Sequence, residues 1–137
     1  MTWRALGPIL PLPAEVRRIL VVSRYQHLRG LLCRVFAGKG FRVTERDSYE
    51  AADWDSAYMH VDLIVLDTSS PQVVEQFKRN PWTRHIPLLV LAADLGAIVA
   101  TDPVVSVLPK PFHAADLLWF AQNLLHPKTS ARPAAAL

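Results

Sequence analysis

The sequence predicts one α/β domain: a five-stranded parallel sheet covered on both faces by helices, in the doubly wound (βα)5 arrangement. Three observations predict it. Strand-like and helix-like stretches alternate five times along the chain. The strand-like stretches "RRILVV", "DLIVLD" and "IPLLVLA" are nearly solid apolar runs, as in strands buried on both faces. And 137 residues, 51% of them hydrophobic, suffice for one domain with a substantial core. Right-handed crossovers then make the sheet doubly wound.

Taken in order, residues 17–22 form the first strand. A helix follows from Gln26, with Leu28, Leu31, Leu32, Val35 and Phe36 on one stripe, and Gly38 and Gly40 stop it. Residues 41–46 are the second strand. Asp47 and Glu50 have capping-box spacing for a second helix reaching about Met59, with a mostly alanine stripe. Residues 62–67 are the third strand, and 71–80 a short helix with Pro71 in its first turn and Pro81 at its end. Residues 86–92 are the fourth strand, followed by at most two helical turns over 94–100, and 104–108 the fifth. The last helix, 113–125, carries Leu117, Leu118, Ala121, Leu124 and Leu125 on its core stripe.

The ends are different in kind. Residues 1–15 hold prolines at 8, 11 and 13, which break any signal-peptide helix and make a semi-rigid arm. Residues 127–137 are small and polar and read as a disordered tail, leaving 16–126 as the domain. No apolar run approaches the roughly 20 residues of a membrane span. A single cysteine, Cys33, suits a reducing compartment, so a cytoplasmic location is expected, and Cys33 reads as a small core residue. The net charge is +3, but the basic residues are scattered and aromatic residues do not interleave with them, so nucleic acid is only weakly signalled. The five histidines lack metal-ligand spacing.

In a doubly wound sheet the functional crevice lies beyond the carboxyl ends of the strands. The residues there are Ser23 and Arg24, Asp67, Ala92 and Ala93, and Lys110. Together with "ILVV", "DLIVLD" with Pro71 four residues after the acid, "TRHIPLLVLAA" and above all "LPKPF", they carry a resemblance. Over roughly residues 16–126 the chain resembles a response-regulator receiver domain, a flavodoxin-like sandwich. The resemblance implies that Asp67 stands at the phosphoacceptor position and that Lys110 is the lysine contacting the phosphoryl group. It also implies that the Lys110–Pro111 bond is cis, which proline permits.

The chain departs from the family at several places. The acidic pair that holds Mg²⁺ in the family is replaced by Ser23 and Arg24, the Thr or Ser ending strand four by Ala92, and the switch aromatic of strand five by Val107. Mg²⁺ prefers hard carboxylate oxygens, so one neutral hydroxyl and a permanent cation argue against the ion, and no cofactor is expected. A carboxylate ~4 Å from Lys110 or Arg24 would gain about 4 kcal/mol at an effective dielectric near ~20, before desolvation. Asp67 is therefore expected to be an inherited phosphoacceptor position locked in an ion pair.

The leading expectation is a degenerate pseudo-receiver, not an enzyme, that works by protein–protein interaction in a phosphorelay. Its partners would be signalling proteins, such as a histidine kinase, or a second copy through the last helix. There, one of Trp119 and Phe120 should face outward unless the stripe is wide enough to pack both. The loop residue Trp82 and the arm residue Trp3 are further candidates, while Trp54 should cover the second helix. The alternative is an active receiver phosphorylated on Asp67 without Mg²⁺, Arg24 clamping the phosphate. A flavodoxin-like cofactor binder is a third class, against which stands the lack of a Gly-rich loop after strand one.

Overall fold

The computed structural model describes residues 16–50, 60–94 and 105–125. They form β1 (Arg18–Val22), α1 (Gln26–Ala37), β2 (Arg42–Arg46), β3 (Leu63–Asp67), α2 (Pro71–Arg79), β4 (Leu88–Ala92), β5 (Val105–Pro109) and α3 (Ala114–Leu125). The strands make one parallel sheet in the order β2-β1-β3-β4-β5. This is the five-stranded parallel sheet that the apolar runs predict. The arm 1–15, the short segments 51–59 and 95–104, and the tail lie outside the described residues, as do the expectations placed on Trp3 and Trp54.

Because side chains alternate along a strand, each buried strand feeds two layers. Ile19, Val21, Leu63, Val65, Leu89 and Leu91 point to one face and meet Leu32 and Phe36 of α1 and Leu117, Ala121 and Leu125 of α3. Leu20, Val22, Ile64, Leu66, Leu88 and Val90 point to the other and meet Val74 and Phe77 of α2. All five residues of β3 and of β4 are buried. β2, at the sheet edge, is mostly exposed and charged, which discourages pairing with another chain.

Local chemistry sets the boundaries. Ser70 caps α2, its hydroxyl accepting the Val73 N–H at 3.3 Å, and Pro71 takes the first helical position. Gly38 ends α1 but keeps a right-handed φ of −65°, and Gly40 takes the left-handed φ of +91° before β2. One boundary differs from expectation. Asp47 does not begin a helix, since residues 48–50 are irregular and the Ser48 hydroxyl accepts the Glu50 N–H at 3.0 Å. A local serine turn competes successfully with the capping box there. Among the described residues no helix is long and apolar enough to cross a membrane.

The two layers share one sheet, so they should fail together. Phe36→Ala and Phe77→Ala each empty a fully buried site, one on either face. Each should cost about 3–5 kcal/mol. In urea both variants should lower the unfolding midpoint in a single transition. A biphasic transition would show that the layers unfold separately.

Candidate functional site

The sheet order reverses direction between β1 and β3, the place where ligand crevices open in this class of fold. Asp67 ends β3 there. Its carboxylate is 2% exposed, too buried to stay charged without partners, and two chain segments supply them. From the end of β1, the Ser23 hydroxyl donates to Oδ2 at 2.8 Å. From the turn after β5, the Lys110 Nζ forms an ion pair with Oδ1. The cis Lys110–Pro111 bond follows immediately, and the Lys110 N–H donates to the Ala92 carbonyl at 3.0 Å. Parallel neighbours thus place three strand ends around one carboxylate.

Arg24 is not the ion-pair partner that the sequence suggested. Its guanidinium lies 4.9 Å from the centre of the Tyr49 ring, a cation–π contact, and it borders the crevice without bridging Asp67. Ser23, expected only as a lost metal ligand, is fully buried. It also accepts the Tyr25 N–H at 3.1 Å, so the first turn of α1 and the carboxylate share one hydroxyl. Ala92 is fully buried in the α2-side layer and Val107 packs partly buried against it, so apolar packing occupies both positions. Trp119 and Phe120 are both half-buried, edge to face at 5.0 Å, and Phe120 leans on the α3-side core. Neither ring stands out as an exposed anchor. Trp82 does, at 48% exposure.

Two tyrosines complete the crevice, and the sequence did not single them out. The Tyr49 hydroxyl donates to the Asp67 carbonyl, and Lys110 Nζ lies 5.9 Å from the Tyr25 ring centre. Tyr25 directly follows the Ser23–Arg24 strand end, which was signal enough. Tyr49 fell inside a stretch that read as a helix start. Burial is the chief cause that pushes the Tyr49 phenol above its ordinary value of about 10, with the Asp67 charge adding to it. Burial likewise raises the Cys33 thiol, which packs against the α1-side core.

The crevice encloses about 590 Å³ and is lined by Arg24, Tyr25, Tyr49, Asp67, Thr68, Ser69, Ser70, Val73, Ala93 and Lys110. Among the described residues Asp67 is the one carboxylate in that lining, against two cations. Both its oxygens are engaged, by Lys110 and by Ser23. Mg²⁺ requires several hard oxygens in octahedral array, and this donor set does not fit it.

Two measurements test the geometry. Removing one partner of a fully buried ion pair costs roughly 3–5 kcal/mol, and less where one partner keeps some water, as Lys110 does. Lys110→Met should therefore destabilise the domain clearly in urea. Asp67→Leu/Lys110→Met should recover most of the loss, since no buried charge is then left alone. The second concerns Tyr49. Its folded state holds the phenol proton more tightly, so the associated stability is complete below about pH 10 and is lost as pH rises through the higher folded value. Tyr49→Phe should flatten this alkaline fall in thermal melts, and an unchanged fall would contradict the assignment.

No protein-family model matches the chain. Over 82 residues it is 35% identical to the phosphate regulon transcriptional regulatory protein PhoB of Escherichia coli (strain K12), covering 56% of this chain and 36% of that protein. The chain thus spans about a third of the length of the curated relatives it matches. Among solved structures, the chemotaxis protein CheY4 of Vibrio cholerae superposes with a TM-score of 0.65 at 19% identity, covering 80% of this chain and 99% of that one. A putative response regulator from Chloroflexus aurantiacus does so with a TM-score of 0.67 at 23% identity, covering 81% and 98%. A sheet ordered 2-1-3-4-5, an acid ending its central strand and a lysine before a cis proline make this the fold of the response-regulator receiver domains.

Proposed function

We propose that this chain is a receiver-like module of two-component signalling that acts by protein–protein interaction and not by accepting phosphate. It works in the cytoplasm, without Mg²⁺ and without enzymatic activity of its own, and its partners are other signalling proteins. The observation that carries this reading is the state of Asp67. Among the described residues it is the single carboxylate of the crevice lining, with one oxygen on Lys110 and the other on Ser23.

The chemistry supports the same reading. Phosphoryl transfer to a carboxylate needs concentrated positive charge around three equatorial oxygens, supplied mainly by metal ions. Here the carboxylates that would hold a metal are replaced by Ser23 and Arg24, and Arg24 is stacked on Tyr49. Ala92 has no hydroxyl to offer a phosphoryl oxygen, and Val107 is packed in apolar surroundings where the family places a mobile ring. A phosphorylated Asp67 would have nothing to pull on.

The test is incubation with acetyl phosphate, with and without Mg²⁺, read by intact mass with Asp67→Ala as control. The expected result is no phosphoryl adduct in either condition. An Asp67-dependent adduct formed without Mg²⁺ would overturn the proposal in favour of a metal-free active receiver, with Arg24 and Lys110 supplying the charge.

A further inference from the structure

Asp67 does not set the character of the crevice it lies in, because Lys110 and Ser23 engage both its oxygens. The lining holds Arg24 and Lys110 against that one acid, a formal +1 among the described residues. Its volume of about 590 Å³ falls in the range of small-molecule sites. The crevice is therefore large enough for an organic ligand and electrostatically suited to an anion.

Each cation stands against a tyrosine ring. The Arg24 guanidinium lies 4.9 Å from the centre of the Tyr49 ring, and Lys110 Nζ lies 5.9 Å from that of Tyr25. Arg24 is exposed, and it makes no hydrogen bond or ion pair among the described residues. Stacking uses the face of a guanidinium and leaves its edge, where the N–H groups lie, open to an acceptor. Tyr25 is 66% exposed, and its hydroxyl has no hydrogen-bond partner among the described residues. The Ser69 oxygen accepts the Ala93 and Asp94 N–H groups at 3.0 and 3.3 Å, while no described residue accepts its own proton. A cationic edge, an uncovered ring and a hydroxyl donor thus border one cavity.

We propose that this crevice binds a small aromatic monocarboxylate, its ring laid on Tyr25 and its carboxylate held by Arg24 and the Ser69 hydroxyl. The class follows from the lining. One net positive charge selects a monoanion, and the planar fork of a guanidinium matches a carboxylate with two parallel hydrogen bonds. The open ring beside it selects a flat aromatic body, since stacked rings gain beyond the area they bury. An inorganic oxyanion leaves the rings unused, and a nucleotide carries more negative charge than the lining offsets. Such a ligand gives the module an input other than phosphate. The proposal rests on the reading of Asp67 as ion-paired. It is tested on chain that has met no phosphodonor, so the mass measurement and the binding measurement can fail separately.

The test is a titration of the full chain, followed by calorimetry and by amide chemical shifts, with four probes. These are 2-naphthoate, decahydro-2-naphthoate (the same charge without the aromatic face), 2-naphthalenemethanol (the ring without the charge) and inorganic phosphate. 2-Naphthoate should bind most tightly, with shifts centred on residues 23–25 and 67–70. Arg24→Gln should weaken it about tenfold, the usual effect of losing hydrogen bonds to a charged group. Tyr25→Ala should weaken it severalfold and erase the preference over decahydro-2-naphthoate, whereas Tyr25→Phe should keep that preference. Arg84→Gln, outside the crevice, should change nothing. Arg24 and Tyr25 are exposed, so these substitutions leave the core intact, and thermal melts check that they do. Absence of 2-naphthoate binding, equal or tighter binding of any other probe, or indifference to Arg24→Gln or Tyr25→Ala would each overturn the proposal.

Discussion

A carboxylate carried to the end of the most central strand and left 2% exposed must be compensated, and the rest of the crevice is arranged around that requirement. The sheet order makes the compensation possible. β3 has β1 on one side and β4 on the other, so Ser23 reaches the carboxylate from the first and Lys110 arrives by way of the β4–β5 pairing. The pairing of Lys110 N–H with the Ala92 carbonyl fixes where that lysine begins, and α3 follows from Ala114. Remove the acid, and these contacts lose their common object.

The same arrangement surrounds positions 92 and 107 with apolar side chains. Here Ala92 is sealed in the α2-side layer with Leu66, Val90 and Val105, and Val107 packs against that layer. The region beside Asp67 is thus continuous with the core, and the ion pair forms its polar lid.

The fold was legible in the sequence because burial on both faces leaves a direct trace: "LIVL" and "LLVL" can hardly be anything but central strands. The pairing of Asp67 with Lys110 was legible through spacing and resemblance. What could not be read was how polar side chains choose among neighbours. Arg24 lies over the Tyr49 ring and makes no ion pair with Asp67. Tyr49 was hidden because Asp47 and Glu50 match a helix-start pattern that the Ser48 turn displaces. The outward aromatic expected on the last helix depended on the width of a stripe, which periodicity alone does not determine, and both rings are half-buried against each other.

The stretch Thr68-Ser69-Ser70 has no regular secondary structure, yet each of its hydroxyls accepts a backbone N–H. Thr68 takes that of Ser70 at 3.0 Å, Ser69 those of Ala93 and Asp94 at 3.0 and 3.3 Å, and Ser70 that of Val73 at 3.3 Å. The loop is in effect sewn to its own helix and to the end of β4 by side chains. These side-chain bonds give an irregular stretch of backbone fixed partners at the rim of the crevice. A rim of that kind sets the shape of the crevice before any ligand or partner arrives, so its contour is a property of three small hydroxyls as much as of the strands below.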